Sequence, residues 1–263
     1  MEYMEEVLSL DLEDSDYLYR IRKGRQIVYV SIQHPDILPM ADRTDSSRIL
    51  ARLRSLPAWN GQWNTLTVTK TANVISCLAD IFQPHRLSGL PVSPSECYNI
   101  LDLTPVSRIS DRISFVRLHK KDVCVLKIAR FSHELAALHT EIKAYSVLEG
   151  HGFRHAPKFL GYAYEETKDR VTGFLIEALS GHHPSIKDLD ICQDAMTKLH
   201  ALGIVHRDLN KFNIILQEKT AKLIDFEAAA FQDSEEYLKL EQEEASSLAQ
   251  KLADTSLVGD RGI

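Results

Sequence analysis

In the middle of the chain the spacing of apolar residues switches from strand to helix period and back, and that switching narrows the folds open to it. Residues 112–118 and 123–128 alternate apolar and polar side chains like strands, with a turn expected at Lys120-Lys121-Asp122. Residues 131–149 then switch to helical spacing. Leu135, Leu138, Ile142, Tyr145 and Leu148 form one apolar stripe, and Gly150 is expected to stop the helix. Strand patterns return at 158–165 and 170–178, followed by a helix from about 186 to 201 with Leu189, Ala195, Met196 and Leu199 inward. Residues 214–216 and 221–224 read as a short hairpin, and 98–103 as a strand ahead of the others. Three strands, a helix, two strands, a helix, a loop, a hairpin and a final helix predict an α+β fold, with a β-rich part ahead of a helical part.

Upstream, residues 17–22 alternate, Lys23-Gly24 follows, and 25–30 alternate again, which predicts a β-hairpin. Residues 44–56 suggest a short helix and 66–69 another strand, while the acidic stretch 1–16 is expected to be frayed. Pro84, Gly89, Pro91 and Pro94 mark a linker. The expected organisation is therefore an N-terminal extension over 1–97, a β-rich lobe over 98–178 and a shortened helical lobe over 179–263. Trp59 and Trp63 are expected to pack the extension. Residues 234–252 read as an acidic amphipathic helix with Leu238, Ala245, Leu248 and Leu252 inward.

Charge and cysteine content exclude several function classes. Of the formal net charge of -6, residues 233–263 supply all but one, so the rest of the chain is near neutral. No basic field is present to recruit nucleic acid. Cys77, Cys97, Cys124 and Cys192 form no C-x-x-C pair, which argues against structural zinc and a disulfide framework. The acidic start lacks the order of a signal peptide, and no run approaches the roughly 20 apolar residues of a membrane span. A soluble protein of a reducing compartment, cytoplasmic or nuclear and without membrane or nucleic-acid partners, is expected.

The chemistry is concentrated in Gly203-Ile204-Val205-His206-Arg207-Asp208-Leu209-Asn210-Lys211-Phe212-Asn213. This tract satisfies the pattern H-R-D-L-x-x-x-N at every specified position. In such a loop Asp208 accepts or orients the proton of an attacking hydroxyl, and Asn213 holds Mg²⁺ by its amide oxygen. Asp225, in Leu223-Ile224-Asp225-Phe226-Glu227, lies 17 residues after Asp208 and supplies a carboxylate for a metal that bridges phosphates. Lys127 interrupts the apolar strand Val123-Cys124-Val125-Leu126-Lys127-Ile128, where a cation is costly unless paired. It is either an edge lysine with its amine in water or a phosphate-binding lysine held by an acid on the next helix. Glu141 is the favoured partner, and Glu134, nearer the helix start, is the rival. Ile176, Glu177 and Leu179 read as the hinge of a nucleotide cleft, or equally as a buried strand leaving a sheet. None of the histidines has metal-ligand spacing.

With these motifs, residues 98–232 resemble the eukaryotic protein-kinase superfamily. The stretch is most similar to the small, divergent fungal protein-kinase-like proteins, on Glu141-Ile142-Lys143-Ala144-Tyr145 and Asn210-Lys211-Phe212-Asn213. The resemblance covers about half the chain and implies a two-lobed fold with ATP and Mg²⁺ in the cleft. It implies Lys127, Glu141, Asp208, Asn213 and Asp225 as the working residues. The acceptor it implies is a hydroxyl, either Ser/Thr on a protein or a small molecule of the aminoglycoside or choline kinase type.

The sequence departs from that pattern in three places. No glycine lies between Gly89 and Gly150, so the glycine-rich cover over the phosphates is absent. Either Ser107, Arg108 and Ser110 in the turn 105–112 replace it with side-chain contacts, or nucleotide binding is weakened. Glu227 stands where the family has glycine, adding a carboxylate to the metal side or capping the next helix. No Ala-Pro-Glu follows in the last 36 residues, so a full peptide platform is not expected. These departures keep two further readings open: a nucleotide-binding scaffold without turnover, and an interaction protein that works through residues 1–97.

Overall fold

The structure, a computed structural model, describes residues 4–14, 16–72, 74–91, 96–118 and 122–254. The turn predicted at 120–122 lies outside them except for Asp122.

The first sheet has the strand order β1 (Glu5–Leu12), β2 (Tyr17–Lys23), β3 (Gln26–Ile32), β4 (Thr65–Thr71), β5 (Val74–Ala79). The β2–β3 register leaves Gly24-Arg25 as a two-residue turn, and Gly24 takes φ +64°, the left-handed conformation such hairpin turns require. β3 and β4 are parallel, so the chain must cross over between them, and α1 (Ser46–Arg54) lies in that connection. Asp45 caps α1 by accepting the amides of Ser47 and Arg48 at 2.9 and 3.1 Å. Ile49, Leu50 and Leu53 of α1 share a core with Tyr19, Ile21, Val30 and Leu66 of the sheet and with Trp59 and Trp63.

This is more structure than the hairpin and helix expected there. In particular the acidic start is not frayed over its described residues 4–14. Glu5–Leu12 pairs with β2, and Glu5 accepts from Arg54 Nε at 2.5 Å and Trp59 Nε1 at 2.9 Å. The acidic residue that suggested a loose end is held by side chains of α1 and of the loop that follows it.

The second sheet has six strands: β6 (Glu96–Asn99), β7 (Thr104–Arg108), β8 (Ile113–Arg117), β9 (Val123–Ile128), β10 (Phe159–Tyr164) and β11 (Val171–Glu177), in the order β6-β10-β11-β9-β8-β7. Between β9 and β10 runs α2 (Leu135–Gly150), preceded by a 3₁₀ turn at Ser132–Glu134. Leu138, Ile142, Tyr145 and Leu148 are buried on its inner face, with Leu135 half-buried. The helix runs through Gly150, and the left-handed turn that ends it falls at Gly152. β6 docks parallel to β10 at Gly161, where any Cβ would come within 2.2 Å of the Glu96 carbonyl oxygen.

The remainder is α3 (Leu189–His200), β12 (Ile204–Val205), the hairpin β13 (Ile214–Gln217) and β14 (Thr220–Leu223), β15 (Ala230–Phe231) paired with β12, and α4 (Tyr237–Ala253). The buried face of α4 is Tyr237, Glu244, Leu248 and Leu252, whereas Leu238 is 69% exposed and Ala245 is also on the outside. The predicted phase was displaced because the inner stripe passes through a glutamate.

The mixed α and β architecture is compatible with a kinase-like fold. One apolar core runs from α2 to α4. Within it Tyr145 meets Phe174 of β11 and Phe226 at centroid distances of 5.7 and 5.6 Å. Among the described residues no helix is long and apolar enough to cross a membrane, and none of the four cysteines forms a disulfide.

Candidate functional site

A cleft of about 560 Å³ opens between the second sheet and the β13–β14 hairpin. Ile109, Ile113, Phe115 and Val125 line it from the sheet, and Ile215 and Ile224 from the opposite side. Ile176, Glu177 and Leu179 lie at the chain crossing between them. The Glu177 amide donates to Lys158 O at 2.9 Å, which leaves Leu179 as the better candidate for a ligand contact at this hinge. Lys127, Glu141 and Asp225 form the polar end.

The alternation of β9 turns Lys127 inward, where its side chain is only 5% exposed. Its ammonium meets three carboxylates: Glu141 Oε2 at 2.5 Å, Asp225 Oδ1 at 2.6 Å and Glu227 Oε1 at 3.1 Å. Burial alone would lower the Lys127 pKa, but these carboxylates outweigh it and hold the value above the ordinary one. Burial, ahead of the neighbouring charges, pushes the Glu141 carboxyl up to about 7. Glu141 is also anchored by the Phe226 amide, which donates to its Oε1 at 3.3 Å. The rival acid, Glu134, is held elsewhere: it accepts from Arg130 Nη2 at 2.7 Å and lies 3.6 Å from Arg112 Nε.

The loop between β12 and β13 brings the remaining residues to the same place. Ile224 N–H donates to Asn213 O at 3.0 Å, and His206, through Nε2, bonds Ile224 O at 2.9 Å, so the loop is tied to the strand that carries Asp225. Asp208 is exposed, and each of its carboxylate oxygens is held by a side-chain amide. Asn213 Nδ2 donates to Oδ2 at 3.0 Å and Asn210 Nδ2 to Oδ1 at 3.2 Å. With Nδ2 so engaged, the Asn213 oxygen is left as an acceptor. Arg207 and Asp225 both sit at positive φ, +69° and +67°, costly for non-glycine residues and a pattern concentrated at functional sites.

Glu244, not singled out in the sequence, fixes the loop from below. It is 4% exposed and accepts from the His206 amide at 3.1 Å, the Arg207 amide at 2.6 Å and His200 Nε2 at 2.7 Å. The stripe Tyr237, Glu241, Glu244, Leu248, Leu252 was the signal that could have exposed it.

The turn over the cleft differs from the reading of 105–112. Ser107 and Arg108 lie exposed on β7, and Arg108 pairs with Asp111 at 2.6 Å. Ser110 Oγ accepts from Arg112 N at 3.3 Å. None of the three lines the cleft, because the strand extends to Arg108 and turns these side chains elsewhere. Arg112, which sequence reasoning passed over, is not part of the lining either, but it turns toward Glu227. Its Nη2 and Nη1 donate to Glu227 Oε1 and Oε2 at 2.7 and 3.3 Å, and its Nε donates to Ile128 O at 3.1 Å.

The donor set suits a hard divalent cation. Carboxylate oxygens of Glu141, Asp225 and Glu227 lie within 4.8 Å of one another. Residues 176–248, just over a quarter of the chain, match the family model of the RIO domain. That match spans the hinge, Asp208, Asn213, Asp225 and Glu244. Over this stretch the chain is similar to an atypical protein-kinase-like domain, a class of ATP-binding phosphotransferases.

Proposed function

We propose that this protein transfers the terminal phosphoryl group of ATP, with Mg²⁺, to a hydroxyl group, the acceptor being a serine or threonine of a protein. The observation that carries the reading is a buried ammonium facing three carboxylates at the polar end of an apolar cleft. The apolar walls suit a purine, and the hinge at Leu179 offers backbone groups to its edge. Lys127, oriented by Glu141, neutralises phosphate charge. Asp225 and Asn213 would hold Mg²⁺, which supplies charge neutralisation and alignment of the phosphates. Asp208, oriented by two amides yet exposed, orients the acceptor hydroxyl and takes its proton. Such transfer depends on positioning more than on covalent work by the protein. Residues 98–178 and 179–263 serve as the two lobes. The fungal-type kinase-like affinity rests on the segments at 141–145 and 210–213. Four cysteines that form no disulfide suit a cytoplasmic or nuclear setting.

One observation favours a second reading, a small-molecule acceptor. Only residues 232–236 separate β15 from α4, too few for a long loop that docks a peptide.

The site is tested by thermal unfolding with ATP, with and without Mg²⁺. At 100 times the dissociation constant, binding stabilises the fold by about 2.7 kcal/mol. The shift should need Mg²⁺ and be lost in Asp225→Ala. Its absence in the unaltered protein sinks the reading, and phosphorylation of protein pools against small-molecule pools decides the acceptor.

A further inference from the structure

We infer that Arg112 takes over the phosphate contacts of the absent glycine-rich cover, and that Glu227 occupies Arg112 and Lys127 until a nucleotide replaces it. The inference rests on the nucleotide reading of the cleft given above.

A glycine-rich turn contacts phosphates through backbone amides that approach without a Cβ in the way. The turn here carries Ile109 and Arg112, and no glycine. A chain without those amides needs another donor set at the same edge of the cleft. Arg112 is the guanidinium placed for it. It directly precedes β8, its neighbours Ile109 and Ile113 line the cleft, and its side chain is 20% exposed. A guanidinium presents a planar fork that matches phosphate oxygens two at a time. Its fork is now closed on the two Glu227 oxygens at 2.7 and 3.3 Å, so the carboxylate sits where an anion is bound.

Glu227 also reaches Lys127, at 3.1 Å. One carboxylate therefore bridges Lys127, which lines the cleft, and Arg112, which sits next to the lining residue Ile113. Among the described residues Glu141, Asp225 and Glu227 all contact Lys127, and Glu227 contacts Arg112 as well. Glu227 is the most exposed of the three, at 22% against 10% for Asp225 and 1% for Glu141. It is the one that can swing out at least cost. When a triphosphate enters, Arg112 and Lys127 exchange the carboxylate for phosphate oxygens, and the released carboxylate turns to the metal side. Glu227 then makes binding of metal-free ATP weak and binding of the metal complex strong.

Isothermal titration of the full chain with ATP, ADP and adenosine tests the inference. Arg112→Gln should weaken ATP and ADP at least about tenfold, the loss of a charge-assisted contact, and leave adenosine within twofold. Glu227→Gln should tighten ATP measured with EDTA present and shrink the gain from added Mg²⁺. If Arg112→Gln does not fold by circular dichroism, Arg112→Lys keeps the charge without the fork and should still weaken ATP relative to adenosine. ATP affinity within twofold of the unaltered protein in the Arg112 variant, or metal-free ATP binding that Glu227→Gln fails to tighten, overturns the inference while the nucleotide reading stands. An unaltered protein that binds no ATP overturns both.

Discussion

Lys127 and Glu165 are both buried ions, 4% and 0% exposed, yet their surroundings differ in kind. Glu165 follows β10 and is closed in on all sides. Arg20 donates to it through Nε and Nη2 at 2.8 and 2.5 Å, Arg170 at 2.8 Å, and the Tyr29 hydroxyl at 2.9 Å. Arg170 also lies over the Tyr29 ring, 4.8 Å from its centre. Two guanidiniums face Glu165, and Glu166, 3.3 Å from Arg170, balances the charge. Lys127 has a surplus of negative partners instead, and it borders a cleft. A buried charge neutralised on every side fixes two pieces of structure to each other. A buried charge with an excess of one sign beside an opening is prepared for an added ion.

The largest effect expected from this contrast concerns turnover. Asp208→Ala, on the open cluster's side, should cut phosphoryl transfer by about 10²–10⁴-fold while ATP still binds. A variant that transfers phosphate at half the original rate would break the functional half of the comparison. On the closed cluster the loss should appear in stability. Glu165→Ala leaves two guanidiniums buried without their acid and should cost about 3–5 kcal/mol in urea unfolding. A cost below about 1 kcal/mol would mean that the joint is not held by these charges.

Glu244→Gln sits between the two cases, because Glu244 is buried like Glu165 but grips the loop that carries Asp208. It should lose about 1–3 kcal/mol and slow turnover with little change in ATP affinity. If ATP affinity falls more than turnover, Glu244 belongs to the binding site and not to the loop's support. The smallest expected effect is in pH dependence. Burial would raise the Glu165 carboxyl, but Arg20 and Arg170 hold it below its ordinary 4.5. A depressed carboxylate contributes stability above its unfolded value, and that stability is lost as pH falls through the folded one. Urea midpoints should therefore drop as pH falls below about 4.5, and Glu165→Gln should flatten part of that fall.

Much of the site was legible because its signals are local. His206-Arg207-Asp208 and Asn213 lie on one short loop, and the hairpin that follows fixes where Asp225 appears. Lys127 and Glu141 were readable as one lysine in an apolar strand and one acid on the next helix. What escaped depends on pairs far apart in the chain. Arg112 meets Glu227 across 115 positions, and nothing in either segment names the other. The turn at 105–112 could be seen, but not which of its side chains would face inward, since that depends on where β7 ends. Glu5 looked like part of a loose acidic start because its partners, Arg54 and Trp59, come from a helix and a loop about 50 residues on.

The joint at Glu165 has a mechanical meaning. It lies at the tip of the hairpin formed by β10 and β11, strands of the sheet that carries Lys127, and it fastens that tip to Arg20 and Tyr29 of the first sheet. The two sheets are therefore fastened to each other at that tip by buried charges and hydrogen bonds. A contact made on β1–β5 from outside would reach the sheet that carries Lys127 through this joint, without touching the cleft itself.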